Sequence, residues 1–80
     1  MWHVYILKCK DGTLYTGVTT DIPRRVALHN TGKASKYTRG RAPVTLVYKE
    51  SHRLRSKAQS REAGIKRLSR REKLAFITRR

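Results

Sequence analysis

Hydrophobic and polar positions divide the chain into six regular segments. Trp2 to Lys8 is rich in aromatic and β-branched residues and reads as a strand, and Thr13 to Thr19 reads as a second. Asp11-Gly12 between them marks a hairpin. Next comes a helix over roughly Ile22 to Asn30, capped by Asp21, with Pro23 in its first turn and Gly32 ending it. Lys33 to Pro43 lacks periodicity and reads as a basic loop. Val44 to Glu50 alternates as a third strand. Ser56 with Gln59 has the spacing of a capping box opening a second helix to about Leu68. Ser69 with Glu72 opens a third, which carries Leu74, Phe76 and Ile77. The order is ββαβαα in one α+β domain spanning residues 1–80, and it suggests an antiparallel sheet with helices packed on it.

The hairpin admits two registers. A two-residue loop at Asp11-Gly12 places Tyr5 opposite Val18 and sends Tyr5 and Tyr15 to opposite faces. A three-residue loop, Lys10-Asp11-Gly12 with Gly12 left-handed, places Tyr5 opposite Gly17 and Leu7 opposite Tyr15. Both tyrosines then share one face, and Gly17 leaves room above Tyr5.

Three polar residues interrupt the apolar stripes. At about 100° per residue, Ile22, Arg25, Val26, Leu28 and His29 share one side of the first helix. A charge on a core-facing side is costly unless paired. Arg25 either snorkels to the edge, with His29 a satisfied core histidine, or the two form an anion site. On the second helix Glu62 lies among Ala58, Ile65 and Leu68. The other acids have local tasks: Asp11 in the turn, Asp21 and Glu72 as caps, Glu50 at a strand end. Glu62 has none, so it is either an ion-pair partner of Arg25 or a metal ligand. Mg²⁺ often binds through only one or two carboxylates, with waters and substrate phosphate completing its shell.

Charge then narrows the class of partner. Twenty Lys and Arg against five Asp and Glu give a net charge of +15. A polyanion relieves the resulting self-repulsion, and nucleic acid fits best, since each neutralised phosphate releases a condensed counterion. No apolar stretch approaches a transmembrane span, and no basic amphipathic helix carries a wide exposed apolar face, so no membrane partner is expected. Lys33, Lys36, Tyr37, Arg39 and Arg41 make the basic loop the expected contact with backbone phosphate, mobile without ligand, with Tyr37 able to stack on a base. The lone Cys9 and the absence of a signal-like start point to the cytoplasm. Zinc-spaced Cys/His clusters, a phosphate-binding Gly-rich loop and a dinucleotide fingerprint are all missing, so no small-molecule cofactor is expected.

These residues together resemble a known family, the GIY-YIG nucleases. Its two signature tripeptides stand here as Val4-Tyr5-Ile6 and Tyr15-Thr16-Gly17, with Val4 in place of the first glycine and Thr16 in place of isoleucine. Arg25 and His29 match its helix motif, and Glu62 in Ser60-Arg61-Glu62-Ala63-Gly64 matches its metal-binding glutamate. Lys36-Tyr37-Thr38-Arg39-Gly40-Arg41 and Ile65-Lys66-Arg67-Leu68-Ser69-Arg70 look like segments of its small, uncharacterised stand-alone bacterial members. The likeness implies a three-stranded antiparallel sheet flanked by helices, with both tyrosines at one site, which favours the three-residue hairpin loop. It also implies phosphodiester hydrolysis with one Mg²⁺ or Mn²⁺ ion, on DNA more than RNA. In that scheme Tyr15 is the general base or orients the attacking water, and Tyr5 positions it. Arg25 stabilises phosphate charge, His29 assists proton transfer and Glu62 holds the metal. A tyrosine base needs its free pKa of about 10 offset, and nearby cations favour the phenolate. The alternative is a non-catalytic basic module that binds nucleic acid and keeps the nuclease fold.

Overall fold

The computed structural model describes residues 1–79. Its elements are β1 (Trp2–Lys8), β2 (Leu14–Thr19), α1 (Ile22–Asn30), β3 (Thr45–His52), α2 (Arg55–Lys66) and α3 (Arg70–Arg79). The sheet is antiparallel in the order β2-β1-β3. β1 is therefore central and needs apolar residues on both faces. Val4 and Ile6 pack with Tyr48, Ala58 and Ile65 on the side covered by α2 and α3. Tyr5 and Leu7 pack with Cys9, Val44 and the α1 residues Ile22 and Val26 on the other. Each fully buried aliphatic side chain here contributes about 1.5–3 kcal/mol, so this one strand anchors both layers.

The hairpin takes the three-residue loop. Tyr5 pairs with Gly17 and Leu7 with Tyr15. The Gly12 N–H donates to the Cys9 carbonyl, and Gly12 has φ +83°, the left-handed conformation such a bulge requires. The α1 caps agree with the sequence: Asp21 accepts from the Arg24 N–H, and Gly32 follows the helix at φ +76°.

Two expectations need correction. Ser56 and Gln59 form no capping box. The residue in extended conformation before α2 is Leu54, which makes no side-chain cap bond, so both lie inside the helix. The true box is Ser69–Glu72 at α3, where each side chain accepts the other's backbone N–H. β3 also runs two residues past Glu50, because Ser51 and His52 pair with His3 and Trp2 of the central strand.

Glu50 is accordingly more than a strand end. Its carboxylate accepts from the Tyr48 hydroxyl, from His52 Nε2 at 2.5 Å, and from Arg61 Nε and Nη2 at 2.8 and 2.9 Å. Tyr48, Glu50 and His52 share one face of β3 by the two-residue repeat, and Arg61 ties that face to α2. The Arg61 hydrogen bonds, against the opposing effect of burial, lower the Glu50 pKa from 4.5 to about 2. Its contribution to stability is therefore complete above pH 4.5 and lost as pH falls from there toward 2. Thermal melting across that window should show the wild type losing stability and Glu50→Gln, already lacking the contribution, following a flatter curve.

Candidate active site

Tyr5 lies in the middle of the central strand and is 1% exposed. Its ring reaches over Gly17 of the edge strand, where an added Cβ would sit 2.5 Å from the phenol oxygen. Tyr15, half-buried, stands diagonal to it with ring centroids 6.4 Å apart. Arg25 reaches in from α1 and Glu62 from α2. Tyr5, Tyr15, Gly17, Arg25 and Glu62 line one cleft of about 440 Å³, with Trp2, Val18, Thr20, Arg55 and Gln59 completing its walls. The inward polar residues of the two helices thus meet where the edge strand narrows to a glycine.

His29 stands behind this cleft. It is 1% exposed and bonded at both ring nitrogens: Nε2 to the Tyr5 hydroxyl at 2.9 Å and Nδ1 to Thr38 Oγ1 at 2.8 Å. The Thr38 hydroxyl donates to the Ser35 carbonyl, so its oxygen accepts from Nδ1–H. Nε2 is then the acceptor, and Tyr5 donates to it. Burial, followed by the Arg25 charge, lowers the His29 pKa, which favours this neutral ring. Burial pushes the Tyr5 hydroxyl well above its usual range; Tyr15 and Glu62 add to this and Arg25 opposes it. Tyr5 is therefore a protonated donor held by His29, and His29 lies behind the cleft rather than in its wall.

Glu62 pairs with Lys66 one helical turn on, at 3.1 Å through Oε2, and not with Arg25. Among the described residues its other oxygen has no protein partner, and no group of three metal-ligating side chains exists. A single hard carboxylate beside an open cleft that also holds Arg25 suits Mg²⁺ or Mn²⁺ carrying waters, and does not suit zinc.

The basic loop divides. Lys33, Lys36 and Arg39 are exposed. Arg41 is instead held at 2.7 Å by Asp11 and lies over the Tyr37 ring, whose other close neighbour is Tyr15 at 5.8 Å. Tyr37 is 41% exposed and lines a separate depression with Thr13, Leu14, Arg70 and Lys73, not the cleft that holds Tyr5. The loop meets the rest of the domain at two points: Thr38 is fully buried beneath His29, and the Lys10 N–H donates to the Arg41 carbonyl. The role of Thr38 was missed because a lone hydroxyl in an aperiodic loop carries no positional signal. Trp2, Arg55 and Gln59 were missed because helix and strand faces alone do not say which residues border a cleft.

Comparison with known proteins gives the family and the fold. Residues 1–75 match the family described as the GIY-YIG catalytic domain. The chain is 59% identical over 77 residues to a UPF0213 protein of Halobacterium salinarum, covering 96% of this chain and 100% of that one. It is 54% identical over 78 residues to a UPF0213 protein of Clostridium perfringens, covering 98% and 84%. The solution NMR structure of a UPF0213 protein from Bacillus halodurans superposes with a TM-score of 0.63 at 47% identity, covering 98% of this chain and 84% of that one. The chain belongs to the GIY-YIG catalytic-domain family, within a nuclease superfamily, and its near relatives are bacterial and archaeal UPF0213 proteins.

Proposed function

We propose that this protein is a divalent-metal-dependent nuclease that hydrolyses phosphodiester bonds of nucleic acid in the cytoplasm, with DNA preferred to RNA. The observation that carries the reading is the convergence of Tyr5, Tyr15, Arg25 and Glu62 on one cleft of a chain with net charge +15. Glu62 would hold a single Mg²⁺ or Mn²⁺ ion, which when bound supplies stabilisation of phosphoryl charge and a water of lowered pKa.

The protein's own groups divide the remaining work. A water oxygen attacks phosphorus while the bond to one sugar oxygen breaks, and that oxygen takes up a proton. Tyr5 directs its proton at His29, so it would accept the water's proton only by passing its own to the imidazole, which is where His29 would assist proton transfer. Tyr15 is the other phenol in the cleft, and it orients the water or accepts its proton. Arg25 offers a cation to the charge that builds on the phosphate oxygens. The test is incubation of purified protein with labelled single-stranded, duplex and branched DNA and RNA, in Mg²⁺, Mn²⁺ or EDTA. Metal-dependent cutting of DNA supports the proposal. Binding without cutting on every substrate would make the chain a basic binding module instead.

The exposed loop cations give a separate expectation. Lys36→Ala with Arg39→Ala should weaken binding across sequences and reduce the salt slope by about two phosphate contacts, about 0.7–0.9 each. Arg41→Ala should lower the slope less than either, because Arg41 is already paired with Asp11. Binding titrations at several salt concentrations check both; an unchanged slope in the double variant removes the loop from the interface.

A further inference from the structure

The cleft is larger than one phosphate requires. At about 440 Å³ it falls within the range of about 300–1,000 Å³ usual for sites that enclose whole small molecules. Its unassigned end is formed by Trp2, Arg55 and Gln59. Arg55 and Gln59 lie on the same ridge of α2 as Glu62, seven and three residues before it, so the ridge leads away from Glu62 along the wall.

We propose that Trp2, Arg55 and Gln59 form a second subsite that holds the nucleotide next to the reacting phosphate. The inference rests on the nuclease reading and extends it to how the strand is held.

Three observations support it. The Arg55 guanidinium lies over the Trp2 ring, 5.2 Å from its centroid, so an otherwise flexible cation is held in place at the cleft. Among the described residues Arg55 has no carboxylate partner, although it stands in the first turn of a helix, where a cation opposes the macrodipole and none of its neighbours is acidic. A strand phosphate would compensate this charge. Gln59, whose spacing suggested a cap, makes no cap bond, and its exposed amide borders the cleft with no protein partner among the described residues, free to meet a ligand. An amide can donate and accept at once, which suits the edge of a base. The indole offers an apolar surface beside it, partly exposed.

Trp2 is the only tryptophan in the chain, so its emission reports on this end of the cleft without any need for catalysis. The experiment titrates wild type, Arg55→Ala, Gln59→Ala and Lys49→Ala with a short single-stranded DNA oligonucleotide in EDTA, at several salt concentrations. Lys49 is exposed on β3 and absent from the cleft walls. The oligonucleotide should quench Trp2. Arg55→Ala should bind roughly tenfold more weakly, the scale of one charge-assisted contact, with a salt slope lower by about 0.7. Arg55→Lys should recover the slope but not the full affinity, because it keeps the charge and loses the planar stack. Gln59→Ala should change the preference among oligonucleotides of different base more than the slope, and Lys49→Ala should bind at least as well as a generic surface-charge loss allows. Where cleavage is measured in Mg²⁺, Arg55→Ala should raise KM more than it lowers kcat.

Unchanged Trp2 emission at saturation, or an Arg55→Ala variant with the affinity and slope of the wild type, would overturn the subsite. Both are read without cleavage. A wild type that quenches but never cuts overturns the nuclease reading while leaving the subsite standing.

Discussion

Glu62→Gln should reduce cleavage by roughly two orders of magnitude or more, the several kcal/mol that a correctly held metal supplies to phosphoryl transfer, while the fold survives. Gln keeps the shape and removes the charge that would bind Mg²⁺ or Mn²⁺. Had Glu62 neutralised a buried Arg25, the same change would have stranded a cation at a cost of about 3–5 kcal/mol. Its partner is instead the half-exposed Lys66 at i+4. Such exposed pairs contribute only about 0.3–0.5 kcal/mol, so melting should move little. Binding should persist or tighten, since a negative charge beside the phosphate is gone. Activity, melting and binding belong on one preparation. Cutting at full rate by the variant, or by the wild type in EDTA, would end the metal-nuclease reading.

Gly17→Ala should cost both stability and activity, for a reason confined to one contact. The new Cβ would sit 2.5 Å from the Tyr5 oxygen and 2.6 Å from Cζ. Tyr5 cannot swing clear, because its backbone is the middle of the central strand and its ring is enclosed. Overpacking of this kind costs about 1–3 kcal/mol. If the ring leaves His29, a buried acceptor also loses its donor, worth about 1–3 kcal/mol more. In a domain of this size each kcal/mol lowers Tm by about 4–8 °C, so a fall of about 10 °C or more is expected, together with loss of cleavage. Gly64→Ala is the internal control. It lies in α2 with open space around its added Cβ, and should gain about 0.5–1 kcal/mol from helix propensity. Thermal denaturation of the two variants beside the wild type decides the matter. Equal melting of Gly17→Ala and wild type would mean that the close approach of Tyr5 does not matter.

Much of this protein was determined locally. α1 has the boundaries that Asp21, Pro23 and Gly32 signal, because caps act through hydrogen bonds and backbone angles within one turn. The Ser69–Glu72 box is local for the same reason. The places where Arg25, His29 and Glu62 break an apolar stripe were visible too, since a polar residue in a buried stripe is costly wherever the helix docks. What the stripe could not say is what each polar residue meets. His29 meets Tyr5 and Thr38, twenty-four residues before it and nine after, and Glu62 meets Lys66 rather than Arg25. Glu50 looked like a strand end and became the tie between β3 and α2, because its partner Arg61 comes from another element. Ser56 and Gln59 have the letters of a capping box but not its position, since α2 begins at Arg55. The hairpin register stood between two loops of equal local merit. Only one of them puts Gly17 opposite Tyr5, and that choice is settled by the packing of a whole ring into the space a missing side chain leaves, a contact between strands that neither strand encodes alone.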